Sequence, residues 1–198
     1  MIEYRDSDAI TEAEGDFLYG LVRAVKPTVC VETGTHKGYS SLRIAQALEA
    51  NDCGKLITCD SYDWNPVDNF RKHPELEKRI SFHNCKGTDL KIEGKIDFLF
   101  IDSAHEFENV VAEFEYFADR LSSEAVVVFH DCAGDGPSVG VNRAINKLGL
   151  HATFIPTYNV MRVYCKKREF NLIGEQVQVR KDKFNARKNI SYNANDQR

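Results

Sequence analysis

Thr28-Val29-Cys30-Val31-Glu32-Thr33-Gly34-Thr35-His36-Lys37-Gly38-Tyr39 is the stretch on which the fold turns. A short apolar run, Thr28 to Val31, passes through Glu32 into a loop with glycines at 34 and 38, and an amphipathic segment starts at Tyr39. This reads as strand, tight turn and helix. Gly34 permits close backbone approach, and Gly38 lets the helix pack near the strand. In an open α/β sheet, ligands bind outside the carboxyl ends of the strands, so the loop is a candidate ligand site. A dinucleotide loop would read G-x-G-x-x-G, whereas here the two glycines are four apart with His36 between them. Glu32 at the strand end would repel a pyrophosphate and suits a ligand carrying an ammonium group or hydroxyls.

Outward from this stretch the same alternation repeats. Apolar runs at Lys55–Cys59, Arg79–His83, Ile96–Ile101 and Ala125–Phe129 are separated by helix-like segments at Tyr39–Ala50, Asn65–Leu76, His105–Leu121 and Gly140–Leu148. Strands alternating with helices imply βαβ units and a parallel sheet covered on both faces. After Leu150, the runs His151–Ile155 and Asn159–Cys165 are joined through Pro156 and read as an antiparallel hairpin. The expected fold class is therefore α/β: a Rossmann-like, doubly wound, mostly parallel seven-stranded sheet with an antiparallel C-terminal edge hairpin. Residues 1–27 precede the first strand as a helical cap segment, in which Thr11 to Glu14 resembles a capping box. One domain is expected over 1–168, followed by a polar, weakly basic extension over 169–198.

A chain of 198 residues with net charge −4 gives no reason to expect nucleic acid or an anionic membrane as partner. Its N-terminus, Met1 to Asp8, is acidic and lacks the apolar core of a signal peptide. No apolar run approaches the roughly 18–20 residues that span a bilayer. The six cysteines contain no C-x-x-C pair, and three sit in apolar runs as small hydrophobes. A reduced, cytoplasmic protein is expected.

The chemistry lies at later strand ends. The second strand ends in Cys59-Asp60, which places a carboxylate one βα unit downstream, where ribose hydroxyls would be held. The fourth run ends in Asp102-Ser103-Ala104-His105, and the fifth in His130-Asp131-Cys132. Asp102 and Asp131 should share one crevice, and two carboxylates brought together need a cation or a shared proton. A hard divalent cation such as magnesium, held by Asp102 and Asp131, would answer that need. His105, three residues after Asp102, has an unperturbed pKa that suits it to take a proton from an acceptor hydroxyl. His130 is expected to orient Asp131 or a backbone carbonyl. Trp64, in Asp63-Trp64-Asn65-Pro66, is placed to stack at the crevice, and Ala133 to Val139 reads as a loop bordering an acceptor pocket. The stripe Phe107, Val110, Val111, Phe114, Phe117 and Leu121 is core at helical spacing.

Glu32-Thr33-Gly34-Thr35-x-x-Gly38-x-Ser40 resembles the first motif of class I S-adenosylmethionine-dependent methyltransferases. The likeness extends over roughly residues 28–165. It implies that Glu32, Gly34, Thr35, Gly38 and Ser40 lie against the methionine part of S-adenosyl-L-methionine. It places Asp60 with Ser61 at the ribose, Thr88 of Gly87-Thr88-Asp89 at the adenine, and Asp102 beside the cofactor. Ile101-Asp102-x-x-His105-x-Phe107-Glu108 and Phe129-His130-Asp131, followed by Gly140 and Ala144, look like the macrolide-sugar O-methyltransferase subgroup, and more distantly like the catechol O-methyltransferase group. The resemblance implies catalysis by His105 with Asp102, a small hydroxylated acceptor such as a sugar or metabolite, and a magnesium ion at Asp102 and Asp131. In the catechol group an asparagine follows the second aspartate. Cys132 stands there instead, and a thiol is a poor magnesium ligand, so the metal stays open. A homo-oligomer is compatible with this reading.

Other readings fit the residues less well. Base methyltransferases carry Asn/Asp-Pro-Pro-Tyr/Phe after the fourth strand, which Asp102-Ser103-Ala104-His105 is not. A protein methyltransferase remains an alternative. A nicotinamide-dependent oxidoreductase lacks its glycine pattern here, and a non-catalytic cofactor-binding protein would have no use for Asp102, His105 and Asp131 together.

Overall fold

A computed structural model of the chain describes residue 2 and residues 10–133 and 137–166. Its elements are α1 (Glu12–Val25), β1 (Val29–Thr33), α2 (Tyr39–Asn51), β2 (Lys55–Asp60), α3 (Pro66–Phe70), α4 (Pro74–Glu77), β3 (Ile80–Asn84), β4 (Ile96–Ile101), α5 (Phe107–Ala118), β5 (Leu121–Phe129), α6 (Pro137–Lys147), β6 (Thr153–Ile155) and β7 (Met161–Cys165). The strands form one seven-stranded sheet in the order β3-β2-β1-β4-β5-β7-β6. β1 to β5 pair in parallel, while β7 runs antiparallel to both β5 and β6. The doubly wound sheet with an antiparallel hairpin is therefore present. Its detail is that β7 pairs with β5, leaving β6 at the edge.

Period-two alternation divides the buried strand residues between two cores. Cys30, Leu56, Phe98, Phe100, Val126 and Val128 pack with Leu18 and Val22 of α1 and with Ile44 and Leu48 of α2. Val31, Leu99, Ile101, Val127 and Phe129 face the other way, against Val110, Phe114 and Phe117 of α5 and Ala144 and Ile145 of α6. Burial on both faces is why these strands read as continuous apolar runs. The switch point of the sheet lies between β1 and β4, so both ends open into one crevice.

Several expected boundaries are corrected. The single helix over 65–76 is two short ones, α3 and α4. Pro74 disfavours helical backbone at the preceding residue, and His73 adopts φ −132, ψ 67. The helix expected over 105–121 spans only α5, and Leu121 opens β5, opposite Ile96. Leu121 is thus core as a strand residue rather than part of the helical stripe. The loop expected through Val139 stops earlier, because Pro137 begins α6, where its missing N–H costs nothing. The capping box at Thr11 and Glu14 is formed in full. The extension over 169–198 lies outside the described residues.

Phe98 is fully buried in the layer beneath α1 and α2. Phe98→Ala should lower unfolding free energy by about 3–5 kcal/mol in a urea titration.

Candidate active site

The loop after β1 is fastened to the neighbouring strands by its own backbone. Gly34 and Thr35 donate their N–H groups to Cys59 O at 2.9 and 3.2 Å. Gly34 has φ +88, and a Cβ there would lie 2.1 Å from the carbonyl oxygen of Asp102. Only glycine fits. Gly38, also at positive φ, meets the ring of Phe70 in α3, so its close packing is against that helix and not the strand. His36 N–H donates to Asp60 Oδ2 at 2.8 Å, and Tyr62 N–H donates to Asp60 Oδ1 at 2.9 Å. Asp60 therefore closes two loops while facing the crevice.

The sheet ladder runs one residue past the strand ends and fixes the chemical groups. Asp102 N–H donates to Thr33 O at 3.0 Å, and His130 N–H donates to Ile101 O at 3.2 Å. Because Ile101 registers with Phe129, the residue across from Asp102 is His130. His130 Nδ1 lies 2.9 Å from Asp102 Oδ1 and 3.5 Å from Asp131 Oδ1, and its Nε2 lies 3.4 Å from Glu14 Oε2. These contacts sit off the N–H axes, so they act as charge pairs more than as directed hydrogen bonds. His105 Nε2 lies 3.1 Å from Asp131 Oδ2 and 3.4 Å from Asp102 Oδ1. His105 precedes α5, and Gly140 of α6 packs against its carbonyl oxygen, where a Cβ would approach to 2.4 Å.

The electrostatics follow from that enclosure. Burial works against charge on His130, yet the charge of Asp102 and contacts with Asp102, Asp131 and Glu14 push its pKa up to about 12. Burial would raise Glu14, but His130, Thr11 and Asn159 bring it down to about 2. Burial opposes charge on His105 as well, and the contact and charge of Asp102, joined by Asp131, raise it above its ordinary value. Asp102 is buried too, and its two histidine neighbours hold its carboxyl below the usual range. Cys132 is pushed up to about 12 by burial, and its Sγ faces the carbonyls of Phe129 and His130. It is neither a thiolate nor a lining residue of the crevice.

Asp102, His105, His130 and Asp131 border a crevice of about 610 Å³ at the carboxyl ends of the parallel strands. Of the expected ligand-binding residues, Gly34, Thr35, Ser40, Asp60, Ser61 and Asp102 line it, together with His105 and Asp131. Glu32, Gly38 and Thr88 do not, whereas Lys86 and Gly87, just before Thr88, do. Trp64 lines the mouth at 48% exposure, with its ring edge-on to His36 at 4.9 Å between centroids. Glu32 is fully buried behind the loop, where Oε2 accepts from the hydroxyls of Ser41 and Thr58. Burial, against the hydrogen bonds of Ser40, Ser41 and Thr58, pushes its pKa up to about 7.

Sequence reasoning missed Glu14 and Glu113. Glu113 Oε2 accepts from Thr33 Oγ1 and its Oε1 from Ser103 Oγ, both at 2.8 Å, on the crevice floor. The signal was available: Glu113 falls between Val110, Phe114 and Phe117 on the apolar face of α5. Glu14 was legible only as a local cap, because its second partner lies far along the chain.

The donor set is poorly matched to magnesium. The ligand atoms of Asp102, His105, His130 and Asp131 lie within 4.8 Å of one another, but two are imidazole nitrogens, and magnesium prefers an all-oxygen octahedron.

Residues 31–132, more than half of the chain, match the family described as Methyltransferase domain. The uncharacterized protein y4gI of Sinorhizobium fredii is 30% identical over 132 residues, which cover 59% of this chain and 14% of that much longer protein. The structure of cofactor-bound Rv0187 from MTB superposes with a TM-score of 0.71 at 20% identity, covering 82% of this chain and 83% of that one. The Bacillus cereus O-methyltransferase in complex with SAH gives 0.69 at 19%, covering 81% and 84%. At these identities the likeness to the two structures is one of fold. No helix among the described residues is long and apolar enough to cross a membrane.

Glu32 has a folded pKa near 7, above its ordinary 4.5, so its contribution is intact below the lower value and lost as pH rises through the higher. Glu32→Gln should therefore be more stable than the parent at pH 8, by about 1–3 kcal/mol, with the difference vanishing near pH 4. Urea unfolding at the two pH values reads it.

Proposed function

The chain belongs to the methyltransferase-domain family, and from that we propose that it transfers the methyl group of S-adenosylmethionine to a hydroxyl of a small acceptor, with His105 as the base. The observation that carries this reading is His105 at the mouth of the strand-end crevice, half-buried and paired with both strand-end aspartates.

The lining suits the cofactor. It carries Asp60, Asp102, Glu113 and Asp131 against the single lysine Lys86, a balance that favours a cationic sulfonium and ammonium over phosphates. Gly34, Thr35 and Ser40 would flank the methionine part, Asp60 and Ser61 the ribose, and Lys86 and Gly87 the base. When bound, S-adenosylmethionine supplies an electrophilic methyl on sulfur.

The chain's own residues do the rest. His105 in its neutral form accepts the hydroxyl proton of the acceptor as the oxygen attacks, and the crevice holds that oxygen in line. Asp131 and Asp102 grip Nε2 of the ring, orienting it and stabilising the imidazolium that forms. Trp64, exposed at the mouth, offers a face for a ring-bearing acceptor to stack on. A sugar or other small hydroxylated metabolite fits this lining, and a polyanionic nucleic acid does not.

S-Adenosylhomocysteine should bind in calorimetry with Kd well below 1 mM, and Asp60→Ala should weaken it about tenfold or more. No saturable binding at millimolar ligand would sink the reading. His105→Ala should leave that binding intact and slow turnover on the order of 10²-fold. The base must be neutral and its pKa is raised, so kcat/KM should climb with pH through a value above the ordinary 6.5. Asp131→Asn removes one of the raising charges and should move that limb to lower pH. A limb unmoved by the substitution would show that Asp131 does not tune the base.

A further inference from the structure

An acidic side chain stands on the apolar face of α5. Glu113 falls between Val110, Phe114 and Phe117, is 2% exposed, and still reaches the floor of the crevice. Three strand ends converge on it. Thr33, closing β1, donates its hydroxyl to Oε2, and Ser103, following β4, donates its hydroxyl to Oε1, both at 2.8 Å. Asn109 Nδ2 donates to Ser103 Oγ at 3.0 Å, so the serine proton is committed to Glu113. The loop after β3 closes on the same group, since a Cβ on Gly87 would lie 2.5 Å from Oε1.

A carboxylate has about four lone-pair positions, and Thr33 and Ser103 fill two of them from the protein side. A buried acceptor gains from every further donor that reaches it, and on the crevice side that donor belongs to a ligand. The lining beside Glu113 is small: Cys59, in register with Thr33 across the sheet, then Gly87 and Ala104. Small residues around a carboxylate leave a slot for a flat ring that presents an N–H along its edge. The loop after β3 cannot receive that N–H by its side chains. Gly87 has none, Thr88 stays outside the lining, and the Lys86 ammonium only donates. Asp60, the carboxylate at the end of β2, already holds a backbone N–H on each oxygen.

We propose that Glu113 determines which base the cofactor carries: its carboxylate accepts the exocyclic amino group of adenine and rejects a base with an oxygen there. The inference deepens the methyl-transfer reading and rests on it for the presence of an adenine. Thr33 and Ser103 hold the carboxylate in place, and the missing side chain of Gly87 lets the loop after β3 come down to it. A 6-oxo base sets its oxygen against the carboxylate, acceptor against acceptor.

The test is calorimetry on the full chain with S-adenosylhomocysteine and its 6-oxo analogue, S-inosylhomocysteine. The parent chain should bind the 6-oxo ligand about 10–100-fold more weakly. Glu113→Gln, whose amide can turn either its C=O or its NH₂ to the base, should bring the two affinities within about threefold of each other. A purely structural role, or a contact to the ammonium of the amino-acid part, would weaken both ligands alike and leave their ratio at the parent value. That result would overturn the proposal. Ser103→Ala removes one of the two hydroxyl anchors and should narrow the ratio by a smaller factor. Should Glu113→Gln fail to fold by circular dichroism, an unchanged ratio in Ser103→Ala overturns the proposal instead. Equal binding of the two ligands by the parent chain would sink this inference alone, whereas no saturable binding of either would sink the methyl-transfer reading and this inference with it.

Discussion

Gly34 lies so close to the carbonyl of Asp102 that no side chain could stand between them, and the two halves of the site are joined by that contact. On one side is the loop after β1, tied by its N–H groups to Cys59 and Asp60 at the end of β2. On the other is the turn after β4, which carries Asp102 and His105. The ladder bonds from Asp102 to Thr33 and from His130 to Ile101 extend the same parallel sheet through the chemical groups. Crevice and cluster are therefore continuations of the strands, and their geometry inherits the rigidity of a sheet buried on both faces. Gly140 performs a similar service from α6, where its missing Cβ lets the helix press on the backbone at His105.

Within that frame the site is governed by charge. Acidic groups outnumber basic ones around the crevice, and the fold places His130 at the point where three carboxylates converge. The cost of burying these acidic groups is lowered by the imidazole rings among them, His130 between Glu14, Asp102 and Asp131, and His105 against Asp102 and Asp131. The two histidines divide the labour. His130 is enclosed and held charged, whereas His105 keeps an open side and a pKa that is raised less far. A base has to be able to lose its proton; a counter-ion has to keep it.

Much of this was legible along the chain because its causes are local. Apolar runs buried on both faces announce a parallel sheet, and Gly34, Asp60, Asp102, His105 and Asp131 all follow directly on such runs. The errors also have local causes. Pro74 split a helix that hydrophobic spacing alone had joined, and Pro137 began one where a loop was expected. Glu32 sits at the strand end, and period-two alternation turns it inward to Ser41 and Thr58, behind the loop.

By itself, the sequence determined that Asp60, Asp102 and Asp131 stand at the ends of parallel strands, and that Asp102, His105 and Asp131 belong to one crevice. Only the tertiary structure decided what balances their charge. Glu14 and Asn159 stand 145 residues apart, and Glu14 meets His130 through the packing of α1 across the sheet end. No spacing rule encodes such a pair. Periodicity fixes which face a residue shows, but the sign of the field at that face depends on every element packed against it.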